Sequence, residues 1–239
     1  MANSQTTLPA LARRWLRAAA EFKRQLQGTD ARLTRSYLHS AAEPMLHIGG
    51  GPRCLGGWLN SDLFRAPGVV RFDATRPFPL PGDTFAFVFS EHMIEHVGYG
   101  EGLGMLRECL RIMRPGGTIR IVTPDLRAIM ALLDRPWTSA QQDYFDYFCE
   151  HFIPSEQPRS PASVANAMFR TWGHTFVYDE EALREALGSA GFVNVVRHRL
   201  GASNSSQLRG LEHEDRYPPG LLDLESLALE AIKPQTQSG

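Results

Sequence analysis

Two sets of residues in this sequence have the types and spacing to do chemistry. The first is Gly49-Gly50-Gly51, which interrupts the short apolar run Met45 to Ile48. Gly49 and Gly51 carry no Cβ, so the chain can turn sharply there and come close to a ligand. A strand running into such a loop is how nucleotide-binding α/β folds open their site, at the carboxyl end of the first strand. The second set is polar and lies at the ends of later apolar runs: Ser90 and Glu91 with the following His92-Met93-Ile94-Glu95-His96, Asp125 after Thr123-Pro124, and His174 in Trp172-Gly173-His174-Thr175. Histidines and carboxylates in such places can move protons or hold metals.

Spacing narrows these options. Asp62 ends the next short strand, Trp58 to Ser61, and a carboxylate there can accept two hydrogen bonds from the cis-diol of a ribose. It follows Gly51 by only eleven residues, whereas a dinucleotide fingerprint places its acid about 20 residues on. No crossover helix fits in that gap, and an NAD site is disfavoured. His92 to His96 has the order H-x-x-E-H, which on a helix puts two imidazoles one turn apart as zinc ligands. A third ligand is still needed, with Glu101 and Glu108 the acids that follow, and the motif comes straight after a buried strand. The expectation is no metal, with His96 a hydrogen-bonded residue of the site wall. Asp125 can reach a substrate hydroxyl or cap the following helix. His174 can face the substrate mouth or be a loop residue fixed by its neighbours.

The elements that must position these groups alternate along the chain. Short strands are expected at Met45–Ile48 and Val69–Phe72, buried strands at Phe85–Phe89 and Thr118–Val122, and a helix from about Glu101 to Arg114 stopped by Pro115-Gly116-Gly117. The alternation then lapses. Residues 139 to 153 read as an aromatic helix whose rings suit packing better than recognition, and a second short helix follows near 163 to 171. Asp179 caps a helix to Ala190, Gly191 ends it, and strands follow at Phe192–Arg197 and, after a long loop, Leu227–Ile232. Before all of these, residues 8 to 27 form an amphipathic pattern with a basic face. The domain division is a helical extension over 1–40, one domain over 41–234 with a helical substrate-side insertion at 135–172, and a tail over 235–239.

Composition sets outer bounds. The 239 residues are 43% hydrophobic and 21% charged with a formal net charge of −1, which suits a soluble globular enzyme and offers nothing to nucleic acid. Cys54, Cys109 and Cys149 show no ligand or disulfide spacing, in keeping with a reducing cytoplasm. No apolar run reaches the roughly 20 residues that span a bilayer, and no secretory leader is read at the N-terminus.

Together the segments LHIGGGPRCLGGWLNSDL (46–63), FDATRPFPLPGDTFAFVFSEHMIEHV (72–97), LRECLRIMRPGGTIRIVTPDL (106–126) and GHTFVYDEEALREALGSAGFVNV (173–195) resemble class I S-adenosylmethionine-dependent methyltransferases. LRGLE (208–212) and SLALEAIKP (226–234) extend the likeness to those found among bacterial polysaccharide and glycan biosynthesis genes. The resemblance implies a Rossmann-like seven-stranded sheet, mostly parallel, whose last strand runs antiparallel beside the sixth. It further implies that Ile48, Gly49, Gly50 and Gly51 line the methionine part of the cofactor, that Asp62 holds the ribose, and that Leu63 packs on adenine. Asp73 with Ala74 would meet the adenine amino group, and Ser90 and Glu91 the methyl-transfer region. Where many relatives carry an acid in the first motif this chain has His47, so backbone carbonyls or Glu91 would take the cofactor's amino group. The implied activity is methyl transfer to a small or glycan-linked acceptor, most simply a hydroxyl, with His174 the first candidate base and Asp125 the second. The competing reading is a cofactor-binding protein without turnover that acts through partners.

Overall fold

In the computed structural model, residues 28–213 and 217–235 are described. The amphipathic 8–27 pattern lies outside them. A helix over 28–40 (α1) comes first. The hydroxyl of its Tyr37 lies within 3.0 Å of the Met45 and Gly57 carbonyls and tethers the helix to the first strand.

Seven strands form one sheet: β1 (Met45–Ile48), β2 (Leu59–Asp62), β3 (Val69–Arg71), β4 (Phe85–Glu91), β5 (Met113–Pro124), β6 (Val193–His198) and β7 (Ser226–Ile232). Their order is β3-β2-β1-β4-β5-β7-β6. All neighbours are parallel except β7, which runs antiparallel to both β5 and β6. The seven-stranded, Rossmann-like sheet implied by the sequence is therefore present, with the last strand inserted beside the sixth. The order reverses between β1 and β4, where Ile48 pairs with both Ser61 and Ser90. Loops leaving the carboxyl ends of those strands part there and open a crevice.

The central strands β1, β4 and β5 are rich in buried apolar residues because both faces are covered. Leu46, Ile48, Phe85, Val88, Ile119, Ile121 and Leu229 form one core with Met105, Leu106, Cys109 and Ile112 of α2 (Tyr99–Ile112) and Leu183, Ala186 and Leu187 of α6 (Glu180–Ala190). Asp179 caps α6 through the Ala182 amide, and Gly191 closes it at φ +108°, as the sequence reads. Helix α2 stops at Ile112, two residues short of the expected end. Met113 is fully buried and pairs with Phe85, so the strand begins before the Pro-Gly-Gly turn.

Between β5 and α6 lie α3 (Leu126–Met130), α4 (Ser139–Phe152) and α5 (Pro161–Arg170). Thr138 and Gln141 cap α4 reciprocally, and Ser160 caps α5 ahead of a proline at its first position. Their apolar faces make a second core around Ile129, Leu132, Tyr144, Phe148, Val164 and Met168. The aromatic stretch is thus mainly packing. The long loop before β7 holds a short helix, α7 (Leu221–Glu225), which the sequence reading leaves as loop. No helix among the described residues is long and apolar enough to cross a membrane.

Candidate active site

The glycine loop is held from two sides. Gly49 and Gly50 donate to the Ser61 carbonyl at 2.9 and 3.3 Å, and Gly51 donates to Asp62 Oδ2 at 2.8 Å. The other Asp62 oxygen accepts from the Phe64 amide at 2.8 Å. Each carboxylate oxygen keeps a further lone pair, so the residue can fix its own loop and still accept from a diol. Gly49 sits at φ +72° with its Cα against Met93, where a side chain would overlap the Met93 Cβ and Cγ. Gly50 has a different reason to be glycine: a Cβ there would overlap the His47 ring.

A cleft of about 440 Å³ opens in front of this loop, lined among others by Ile48, Gly49, Gly51, Asp62, Leu63, Asp73 and Ala74. Seven of the residues expected from sequence are thus brought together. Leu63 is half exposed and offers an apolar face. Asp73 Oδ1 accepts from the Thr75 amide and hydroxyl at 2.9 and 2.7 Å, bonds that hold its pKa below the ordinary carboxylate range. The cleft has the size, apolar walls and few placed polar groups of a small-molecule site. A glycine cradle, an acid on the second strand and an acid after the third suit an adenosyl ligand that ends in an amino acid.

Three expected residues lie elsewhere. Gly50 faces His47 rather than the cleft. Ser90 is buried within β4, its hydroxyl without a protein partner. Glu91 turns to the back of the loop, where Arg53 reaches it at 3.2 Å and the His213 amide donates to it at 2.8 Å. His47 is buried and stacked on Phe89, with Nδ1 3.1 Å from Asn60 Oδ1. Burial draws its pKa down to about 4, and the ring is neutral at neutral pH.

A second chamber of about 290 Å³ adjoins the cleft and shares His92, His96 and Trp172 with it. Its remaining wall includes Glu95, Phe148, Met168, His174, Tyr217 and Glu225. The helical geometry expected for H-x-x-E-H is absent: His92 has a left-handed backbone, φ +48°, and only Ile94–His96 forms a 3-10 turn. The physical reason is that β4 runs on to Glu91 and the chain must then reverse at the sheet edge of the crevice. Glu95 is fully buried; Thr123 donates to its Oε2 at 2.9 Å, and His92 Nδ1 stands 3.2 Å from its Oε1. Burial raises the Glu95 pKa, but His92, a backbone hydrogen bond and His96 together hold the group below the ordinary value. The Glu95 carbonyl also accepts from Thr175 and Phe176, at 2.7 and 3.1 Å, and so pins the loop that carries His174.

His174 Nδ1 is 2.6 Å from the Met168 carbonyl. A carbonyl only accepts, so the proton is on Nδ1 and Nε2 carries the lone pair. Burial lowers the His174 pKa, against the opposing pull of Glu95. Asp125 is placed differently. It caps α3 through the Arg127 amide at 2.9 Å and pairs with Arg197 at 3.1 Å, and it lines neither the cleft nor the chamber. His92, Met93, His96, Val97 and Trp172 are site residues that the sequence reading leaves out of its binding set. The H-x-x-E-H string signalled His92, Met93 and His96, and the Trp172-Gly173-His174-Thr175 stretch signalled Trp172.

Residues 59–121 match a family profile described as a methyltransferase domain. No protein of curated function matches the chain. Among solved structures, a SAM-dependent methyltransferase from Archaeoglobus fulgidus is 16% identical with a TM-score of 0.47, over 87% of this chain and 94% of that one. The citrinin polyketide synthase CMeT domain is 10% identical, TM-score 0.46, over 81% of this chain and 47% of the other. Phosphoethanolamine N-methyltransferase 2 of Haemonchus contortus, solved with S-adenosyl-L-methionine, is 14% identical, TM-score 0.42, over 87% and 53%. The chain spans about half the length of these last two.

Proposed function

We propose that this S-adenosylmethionine-dependent methyltransferase passes a methyl group to an oxygen of a small or glycan-linked acceptor. The methyltransferase assignment rests on the matched stretch from β2 through β5 within a seven-stranded sheet of order β3-β2-β1-β4-β5-β7-β6. S-Adenosylmethionine is the cofactor, and when bound it supplies a methyl group already activated by a sulfonium. The protein's own task is then alignment and proton removal.

Gly49 and Gly51 give the cofactor backbone to lie against, Asp62 accepts from its ribose hydroxyls, and Leu63 and Ala74 flank its base. Asp73 accepts from an exocyclic amine. The observation that carries the choice of acceptor is the chamber behind His92, His96 and Trp172, where His174 presents an unprotonated Nε2. A neutral hydroxyl gains from such a base as it attacks. Phe148, Trp172 and Tyr217 add aromatic walls of the kind on which sugar rings stack. Asp125, tied to a helix cap and Arg197, is the second candidate. The reading places the protein in the cytoplasm, in keeping with three free cysteines, and gives it no nucleic-acid partner, in keeping with a net charge of −1.

Calorimetric titration with S-adenosylhomocysteine, beside NAD, tests the cleft, and turnover on a panel of hydroxylated glycans tests the acceptor. Micromolar binding of S-adenosylhomocysteine, about −8 kcal/mol, with methyl transfer to a sugar hydroxyl is the expected result. Tight binding without turnover on any acceptor would favour a cofactor-binding protein that acts through partners.

A further inference from the structure

The polar end of the chamber holds, beside the candidate base His174, an acid and a second imidazole that methyl transfer does not require. Glu95 and His96 stand side by side on the 3-10 turn, and His174 comes from the loop after α5. One ligand atom from each lies within 4.8 Å of the other two. Glu95 is 0% exposed, and its Oε1 makes no hydrogen bond of good geometry, only the 3.2 Å approach of His92. Among the described residues no lysine or arginine pairs with it. A buried carboxylate calls for an opposite charge, and the space beside it is lined by imidazoles.

The surroundings match those of metal ligands. A metal-bound histidine characteristically donates its second nitrogen to a carbonyl or carboxylate, which fixes the ring and frees the other lone pair. His174 makes that contact with Met168 at 2.6 Å. Glu95 Oε2 is in turn oriented by Thr123 at 2.9 Å. Two imidazoles and one carboxylate suit zinc and its neighbours, whereas magnesium and calcium prefer oxygen alone.

We propose that Glu95, His96 and His174 bind a divalent transition cation of the zinc type, with the fourth position open to the chamber. His92 then backs Glu95 from behind instead of acting as a ligand. Tetrahedral zinc needs ligand atoms roughly 3.4 Å apart. His96, the exposed member of the three, closes the difference by rotating its side chain. Cation and proton compete for the same nitrogen of His174, so zinc inhibits methyl transfer. That inhibition rests on the function proposed above; the binding does not.

The test is calorimetric titration of the chelator-treated full-length protein with zinc chloride, with cobalt(II) absorption reporting ligand geometry. The expected result is one ion per chain, with affinity at least about tenfold weaker in His96→Ala and His174→Ala. His151→Ala, an exposed ring stacked on Tyr147, should bind as the parent does. Glu95→Gln is informative if it folds; His96→Ala alters an exposed position and carries the test if it does not. Failure to bind one ion, or equal binding in His96→Ala and the parent, overturns the proposal. S-Adenosylhomocysteine is titrated in parallel. If it binds while zinc does not, the metal site falls and the methyl-transfer reading stands; zinc binding alone gives the reverse.

Discussion

His47 Nδ1 lies 3.1 Å from Asn60 Oδ1, and through Asn60 the imidazole is joined to the loop behind the glycines. The same Asn60 oxygen accepts from the Leu55 amide at 2.8 Å, and its amide nitrogen donates to the Leu55 and Trp58 carbonyls at 3.1 Å each. The first-motif histidine is therefore a buried, neutral brace of the loop. Its folded pKa of about 4, set first by burial, is below the ordinary value of about 6.5, so the unfolded chain binds the extra proton more readily. Its contribution is fully present above pH 6.5 and is lost as pH falls towards 4, by about 3 kcal/mol at most. Urea unfolding at pH 7.5 and pH 5 should show this loss in the parent and a smaller one in His47→Gln. Equal pH slopes in the two proteins would remove His47 as the cause.

Gly49 is constrained twice, by its positive φ and by Met93. Gly49→Ala should destabilise the fold by about 1–2 kcal/mol from the backbone alone, with more from the overlap, and should weaken S-adenosylhomocysteine binding. Adding Met93→Ala relieves only the overlap. A double-mutant cycle by urea unfolding should therefore show positive coupling with incomplete rescue. Full rescue would mean that the left-handed backbone at Gly49 carries no penalty.

The sequence made the fold legible wherever local chemistry and periodicity agreed. Continuous apolar runs located β1, β4 and β5, and Asp179 with Gly191 bounded α6. Asp62, Asp73 and the outer glycines were legible as residues of the cleft wall because each lies at or just past the carboxyl end of a strand at the crevice. What escaped depends on contacts distant in sequence. Gly50 answers to His47, Glu91 to Arg53 and His213, and nothing local tells these apart from cleft-facing neighbours. The chamber likewise joins His96 to His174, far apart in sequence, only because the Glu95 carbonyl holds Thr175 and Phe176. The H-x-x-E-H string suggested a helix, but β4 extends further than its apolar run and leaves His92 to make the turn.

Asp62 is the polar residue on which cofactor affinity should most depend. Asp62→Ala should weaken S-adenosylhomocysteine binding by roughly 1–3 kcal/mol, through lost ribose bonds and the released Gly51 amide. Asp62→Asn separates the two: it retains an acceptor for Gly51 but receives the diol less well. Unchanged calorimetric affinity in both variants would withdraw the ribose assignment.

His174 and Asp125 make opposed predictions. His174→Ala should lower turnover by about 10²–10⁴-fold, the usual worth of a general base, while S-adenosylhomocysteine affinity is retained. Asp125→Asn should keep most turnover and instead lose about 1–2 kcal/mol of stability, from the weakened cap and the Arg197 pair. The reverse pattern, in initial rates and urea midpoints, would move the base to Asp125.

Arg120 is among the largest fully buried side chains of the described residues, and it joins the sheet to the LRGLE segment. Its guanidinium donates to Glu212 and Glu230, each at 2.7 Å, and to the Ala202 and Arg199 carbonyls at 3.0 and 3.3 Å. Glu212 Oε2 also accepts from the Gly201 amide at 3.0 Å. These bonds make Glu212 a lock on the loop after β6. Arg120→Met strands two buried carboxylates and should lower stability by about 3–5 kcal/mol. Glu212→Gln keeps the shape and should lose less. The sharper readout is limited proteolysis, with cleavage in 199–212 expected to precede global unfolding in Arg120→Met. Uniform cleavage over the whole chain would show that the arginine serves the core and not the loop.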